Sequence, residues 1–233
     1  QQYIPAIIDG SAQWAFACAE QHGGYDLARV TTSARRRGDG YVLNGEKYAV
    51  LNAHCADYFI VSARTRGAAG DRAGITLFVV DAHSPGLARD NFVAVDGSGG
   101  AHLRMDSVLL DVDQVLGEVD DGLPLMEAVI DTAIVALGGE ALGAMQALLD
   151  ATVEYTKTRE QFGQPISKFQ ALQHRMADMY LKVEETRSLL LNAAIQLDAK
   201  SSESTAACAA LKVKVSEAGR FVAQQAVQLH GGI

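Results

Sequence analysis

The 233 residues predict an α+β chain: an antiparallel β barrel or sandwich followed by an up-down helical bundle. Three observations carry this expectation. Apolar residues alternate with period two from Trp14 to about Leu110, in short runs parted by glycine-rich turns. From Leu125 onward they recur at helical spacing. One sharp break, Phe162-Gly163-Gln164-Pro165, divides the helical half. The expected division is a helical remnant over residues 1–12, a β domain over 13–116 and a bundle over 117–233.

Gln2 to Asp9 carries Tyr3, Ile4, Ile7 and Ile8 ahead of Gly10, the pattern of a helix ending at a glycine. Strands are expected at Thr31–Arg35, Tyr41–Leu43, Glu46–Val50, Tyr58–Ala63, Ile75–Val80, Phe92–Val95 and Leu103–Leu110. Asn44-Gly45 is the best turn signal among them, since both residues tolerate the positive φ of a two-residue hairpin.

The switch to helix falls near Gly117. Met126, Val129, Ala133, Leu137, Leu142, Met145, Leu149 and Val153 form the expected inner face of the first long helix. Gly138-Gly139 lies inside it, at about 1 kcal/mol per glycine against alanine; close packing against a neighbouring backbone is the expected reason. A second helix carries Leu172, Met176, Met179, Val183, Leu190, Ala194 and Leu197. A third runs from about Ser204 through Cys208, Leu211, Val215, Ala218, Val222 and Leu229, and stops at Gly231-Gly232.

Composition narrows the function classes. Lys and Arg number 20 against 28 Asp and Glu, a net charge of −8, which argues against a nucleic-acid binder. An anionic ligand must then be held by local groups. No apolar run approaches the ~18 residues of a membrane span. Three widely spaced cysteines read as reduced thiols, which suggests a cytoplasmic chain. Six histidines show no metal-ligand spacing, so no metal is expected.

The break in the helical half is more specified than a corner requires. Gly163 permits backbone angles that side chains resist, and Pro165 pushes Gln164 towards an extended conformation. Tyr155, Thr158 and Arg159 then lie on the last turn of one helix, and Phe169 to Met176 open the next. A guanidinium at a helix end can grip a phosphate with two parallel hydrogen bonds. Gln161 adds an amide, and Phe162 a flat apolar face. The residues alone allow a structural duty equally well, with Arg159 capping helix carbonyls and Phe162 plugging the corner.

The stretch TREQFGQPISKFQALQHRMADM, from Thr158 to Met179, resembles the C-terminal helical domain of the acyl-CoA dehydrogenases. These flavoproteins introduce a double bond between the α and β carbons of acyl-CoA thioesters. Three other stretches agree with the family in order and spacing: Trp14-Ala15-Phe16-Ala17-Cys18-Ala19-Glu20; Gly40-Tyr41-Val42-Leu43-Asn44-Gly45-Glu46-Lys47 with Ala56-Asp57; and Gln228-Leu229-His230-Gly231-Gly232.

The resemblance implies FAD as cofactor. It implies that Arg159, Gln161 and Phe162 contact the adenosine-diphosphate half of an FAD bound mainly by a neighbouring subunit. Gln228, Gly231 and Gly232 are implied to meet that same FAD, the glycines by close approach and by offering amide hydrogens. A glycine helix stop is the structural alternative for the last pair. An acyl-CoA substrate follows, with a homo-oligomer or a hetero-oligomer of related chains. The resemblance also implies a preceding N-terminal helical domain and further helices after Ile233.

Several positions depart from the family pattern. Ala19 and Tyr25 stand where a threonine and a serine usually hold the flavin ring and pyrophosphate. Ala49 and Leu51 stand where tryptophan and threonine usually pack beside the flavin. Gly24 and Asp26 are kept. No catalytic residue is assigned: the family's glutamate base usually lies past the position of Ile233, and at the less common site this chain has Ala133. Ile134 stands near where an arginine usually meets CoA. Asp131 and Glu140 are expected to pack or face solvent. Two readings result: a subunit of a flavin-dependent acyl-CoA dehydrogenase, or a catalytically silent partner that completes the FAD site of an active related chain.

Overall fold

The computed structural model describes residues 3–232, so the Gln2 end of the first expected helix lies outside the described residues. The chain forms two compact units, Gln1–Glu127 and Ala128–Ile233. In the first, a short helix α1 (Ile4–Ile8) precedes β1 (Trp14–Ala17), β2 (Ser33–Arg37), β3 (Gly40–Leu51), β4 (Tyr58–Arg64), β5 (Ile75–Asp81), β6 (Leu87–Val93), β7 (Gly99–Asp111) and β8 (Val115–Leu116). The sheet runs β6-β7-β3-β2-β4-β5-β8, and β1 joins through β4. Most pairings are antiparallel as expected, but β1 lies parallel to β4, and Ser33 of β2 pairs in parallel with Arg64 of β4. Leu43, Phe59, Val61, Phe78, Val80, Leu103 and Val108 form the core of this sheet.

The hairpin expected at Asn44-Gly45 is absent, because β3 runs straight through it. The pairing of β3 with β7 slips between Leu43 and Gly45, which makes the Asn-Gly pair a β-bulge. The Asn44 side chain accepts the Ser107 N–H at 2.8 Å, supplying a contact the slipped ladder loses. Gly45 sits at φ 146°, and a Cβ there would lie 2.6 Å from Thr32 Cα. The true turn is Gly38-Asp39, closed by the Arg37 and Gly40 pair.

Two buried cations tie the strands together. Lys47 Nζ donates to Glu20 Oε1 at 2.8 Å and to Ser62 Oγ at 3.0 Å. Glu20 also accepts the Thr31 and Thr32 amides at 2.8 and 3.0 Å and the Thr31 hydroxyl. Burial alone would raise the Glu20 carboxyl; the Lys47 ammonium and these hydrogen bonds outweigh it and pull the pKa down to about 2. Arg64 has no carboxylate partner among the described residues. Its guanidinium donates to the carbonyls of Val30, Ala73, Arg66, Ala28 and Asp71, which binds the loops around it.

The second unit is helical. Helix α2 (Gly122–Thr158) starts in the first unit, where Leu123 and Met126 join Val30, Ile75 and Leu77 in a small core. A short ladder of β9 (Glu160–Gln161) and β10 (Gln164–Pro165) follows, then α3 (Gln170–Asp198) and α4 (Ser204–Leu229). Leu142, Met145 and Leu149 of α2 pack with Met179, Val183, Ala218 and Val222. Val129 and Leu137, expected inside, are exposed; the drift of the apolar stripe turns Asp131 inward, where it accepts the Thr205 hydroxyl at 2.8 Å. Gly138 is a close contact with side chains rather than backbone: a Cβ would meet Leu211 at 3.0 Å and Leu190 at 3.4 Å, while Gly139 faces open space. By length and composition α2 could cross a membrane, yet its buried residues pack against α3 and α4 as in a bundle.

Two stability predictions follow from the β unit. Glu20→Gln strands the Lys47 ammonium in the core and costs about 3–5 kcal/mol at pH 7 by urea unfolding. The wild-type contribution is complete above the ordinary carboxyl value of 4.5 and fades as pH falls towards about 2; the variant's unfolding free energy lacks this acid-side slope. Gly45→Ala drives a Cβ into the Thr32 backbone and lowers stability by about 1–3 kcal/mol, measured the same way.

Candidate functional site

The break between α2 and α3 is a miniature hairpin. The last turn of α2 closes on Tyr155, whose carbonyl accepts the Arg159 N–H at 2.9 Å and the Thr158 hydroxyl at 3.1 Å. The chain then pairs Gln161 with Gln164 and Glu160 with Pro165. Phe162 and Gly163 make the two-residue turn, at φ 56° and 79°. Ile166 N–H donates to the Arg159 carbonyl at 2.8 Å and closes the ladder, so Arg159 sits at its base.

Neither structural duty considered for this corner is fulfilled. Phe162 is 90% exposed, its ring set edge-on to Phe169 at 6.1 Å between ring centroids, so it plugs nothing. A phenylalanine in left-handed backbone geometry costs of order 1–3 kcal/mol. The Arg159 side chain is exposed, and its guanidinium makes no hydrogen bond or ion pair among the described residues. Glu154, near it on α2, is taken by Lys157 at 2.7 Å. Gln161 donates from its side chain to the Glu160 carbonyl at 2.8 Å, which leaves its own amide oxygen available.

The tail of α4 is a Schellman stop. Gly231 N–H donates to the Gln228 carbonyl at 3.2 Å and Gly232 N–H to the Val227 carbonyl at 2.8 Å. Both glycine amides, expected to be offered to a ligand, are used within the helix end in this structure. What the glycines do provide is room. They sit at φ 113° and 74°, and a Cβ on either would meet nothing within 4 Å. Gln228 is exposed beside them.

A contact not anticipated from the sequence joins these two groups. Tyr155, on the last turns of α2, stacks on His230, at the end of α4, with ring centroids 4.3 Å apart and planes inclined by 26°. Arg159, Gln161, Phe162, Gln228, Gly231 and Gly232 therefore gather at one end of the bundle. The available signal was the pairing of aromatic residues near each motif, four positions before Arg159 and two after Gln228.

In the β unit the substituted positions present little polar chemistry. The Ala19 carbonyl accepts the Tyr48 N–H at 2.9 Å. Ala49 holds φ 50° and donates its N–H to His102 Nδ1 at 3.1 Å. Tyr25 and Leu51 point to solvent. Among the described residues, no cluster of three or more His, Cys, Asp or Glu could hold a metal, and all three thiols are free.

Comparison with known proteins adds the lineage. The profile of the acyl-CoA dehydrogenase middle domain matches residues 15–108, and that of the acyl-CoA dehydrogenase C-terminal domain matches residues 120–233. The chain is 32% identical to the 3-(aryl)acrylate reductase of Clostridium sporogenes, over all of this chain and 62% of that protein. It is 34% identical to the mitochondrial isovaleryl-CoA dehydrogenase of Solanum tuberosum, over all of this chain and 57% of that one. A solved FAD complex of PigA superposes with a TM-score of 0.94 at 27% identity, covering 99% of this chain and 61% of the other. The chain thus spans about three fifths of the length of such relatives. With both domains matched in the family's order, the chain belongs to the acyl-CoA dehydrogenase family.

Proposed function

We propose that this chain is part of an FAD-dependent acyl-CoA dehydrogenase subunit, acting on the α,β carbons of an acyl-CoA thioester and working as an oligomer of identical or related chains. One observation carries the proposal: an exposed, unpaired Arg159 at the base of a rigid hairpin, gathered with Gln228 at one end of the bundle. The donor set fits a nucleotide diphosphate. Arg159 would hold the phosphate oxygens with parallel hydrogen bonds, Phe162 would lie against a flat ring, and Gln228 and Gln161 would supply amide contacts. Gly231 and Gly232 would let the ligand approach the backbone without donating to it. FAD, when bound, supplies the hydride-accepting chemistry. All six residues face outward, which supports a cofactor shared across a subunit boundary.

A second reading has its own support. Ala19, Ala49 and Leu51 bring neither hydroxyl nor ring where the family uses them, and Ala133 and the buried, hydrogen-bonded Asp131 provide no evident base. These features favour a silent subunit that completes the FAD site of an active relative.

Arg159→Ala should weaken FAD binding roughly 10- to 150-fold in a fluorescence titration, the loss expected for a charge-assisted contact of about 1.5–3 kcal/mol. Arg159→Lys should recover only part of it, because an ammonium cannot form the parallel pair. The two readings separate on the purified protein produced alone. A yellow protein that bleaches with an acyl-CoA supports the active subunit; a colourless one that acquires flavin only when co-produced with a related chain supports the silent partner.

A further inference from the structure

We infer that Tyr155 and His230 form a positioning pair that sets the spacing between Arg159 and Gln228, an inference that rests on the nucleotide-binding role proposed above. The geometry is over-determined on both sides. The Ala226 carbonyl accepts the His230 N–H at 3.0 Å and lies 2.8 Å from His230 Nδ1. A carbonyl only accepts, so Nδ1 carries the hydrogen and the ring is held in one tautomer and one orientation. The adjacent Leu229 is buried in the bundle core, which anchors this end of α4. On the other side, the Tyr155 carbonyl receives both the Arg159 N–H and the Thr158 hydroxyl, so the Tyr155 backbone and the base of the hairpin move together.

The stacked rings join the two ends beyond the bundle core, where Leu149 and Val153 of α2 share a cluster with Ala226 and Leu229 of α4. The hairpin is otherwise exposed, with Glu160 to Gln164 all open to solvent. Without the stack, the core still holds the two helices together, but the hairpin end of α2 and the tail of α4 lose the contact nearest Arg159 and Gln228. The groups on them would then meet a rigid diphosphate only at the cost of ordering. The pair touches no ligand itself and acts through Arg159 and Gln228.

The experiment is a titration of the purified protein, in its native assembly, with ADP and with FAD. His230→Ala and Tyr155→Ala are each expected to weaken binding up to about tenfold, the upper end of what losing one aromatic pair removes. His230→Phe keeps a ring but drops the Nδ1–H bond, and is expected to restore most of the affinity. In the Arg159→Ala background, His230→Ala should have almost no further effect, whereas a general loss of folding would add to it. Undiminished binding in His230→Ala, failure of His230→Phe to rescue, or full additivity with Arg159→Ala would each overturn the positioning role while leaving the nucleotide site intact. Failure of the wild-type assembly to bind either probe would overturn the functional reading itself.

Discussion

The β unit depends on one buried ion pair. Lys47 lies wholly inside, and an ammonium there is tolerable only because Glu20 and Ser62 meet it directly. Glu20 is in turn held by the Thr31 and Thr32 amides. The segment after β1, the approach to β2, and strands β3 and β4 are therefore fastened at a single charged knot. Arg64 performs a related task with different chemistry: its charge is spread over backbone carbonyls, and loops with no regular pairing are held by it. Hydrophobic contact fills this sheet, but these polar contacts help to specify how its segments meet.

The bundle end follows the opposite rule. There, backbone donors are satisfied locally: Gly231 and Gly232 by the helix they terminate, Arg159 by the last turn of α2, and Ile166 by the hairpin ladder. The Arg159 guanidinium is left without a hydrogen-bond or ion-pair partner among the described residues, and Phe162 meets Phe169 while staying 90% exposed. This local structure closes its own hydrogen bonds yet sets a cation and an aromatic ring outward, the ring in costly backbone geometry, which supports the binding role proposed for it.

Much of this was legible in the sequence, for identifiable reasons. The three long helices followed from the apolar period, and the elbow from Gly163 and Pro165, whose backbone limits act whatever surrounds them. Asn44-Gly45 misled because the same permissive residues serve a bulge as well as a turn. Only pairing with β7, more than fifty positions away in sequence, decides between them. Val129 and Leu137 misled because the apolar stripe of α2 drifts around the helix, and the burial of Asp131 became possible only through Thr205 on α4. At the site, Arg159 and the glycines stood out by type, but their gathering involves core packing between α2 and α4 and a tyrosine and a histidine separated by 75 positions, contacts that no local pattern encodes.

The Schellman closure at Gly231 and Gly232 has a bearing on how this chain meets an anion. With those amides engaged, the Arg159 guanidinium is the fork-shaped donor at that end of the bundle, beside the point charges of Lys157 and Lys168. Shape and a single well-placed fork, rather than a diffuse positive field, are what an overall acidic protein has to offer there.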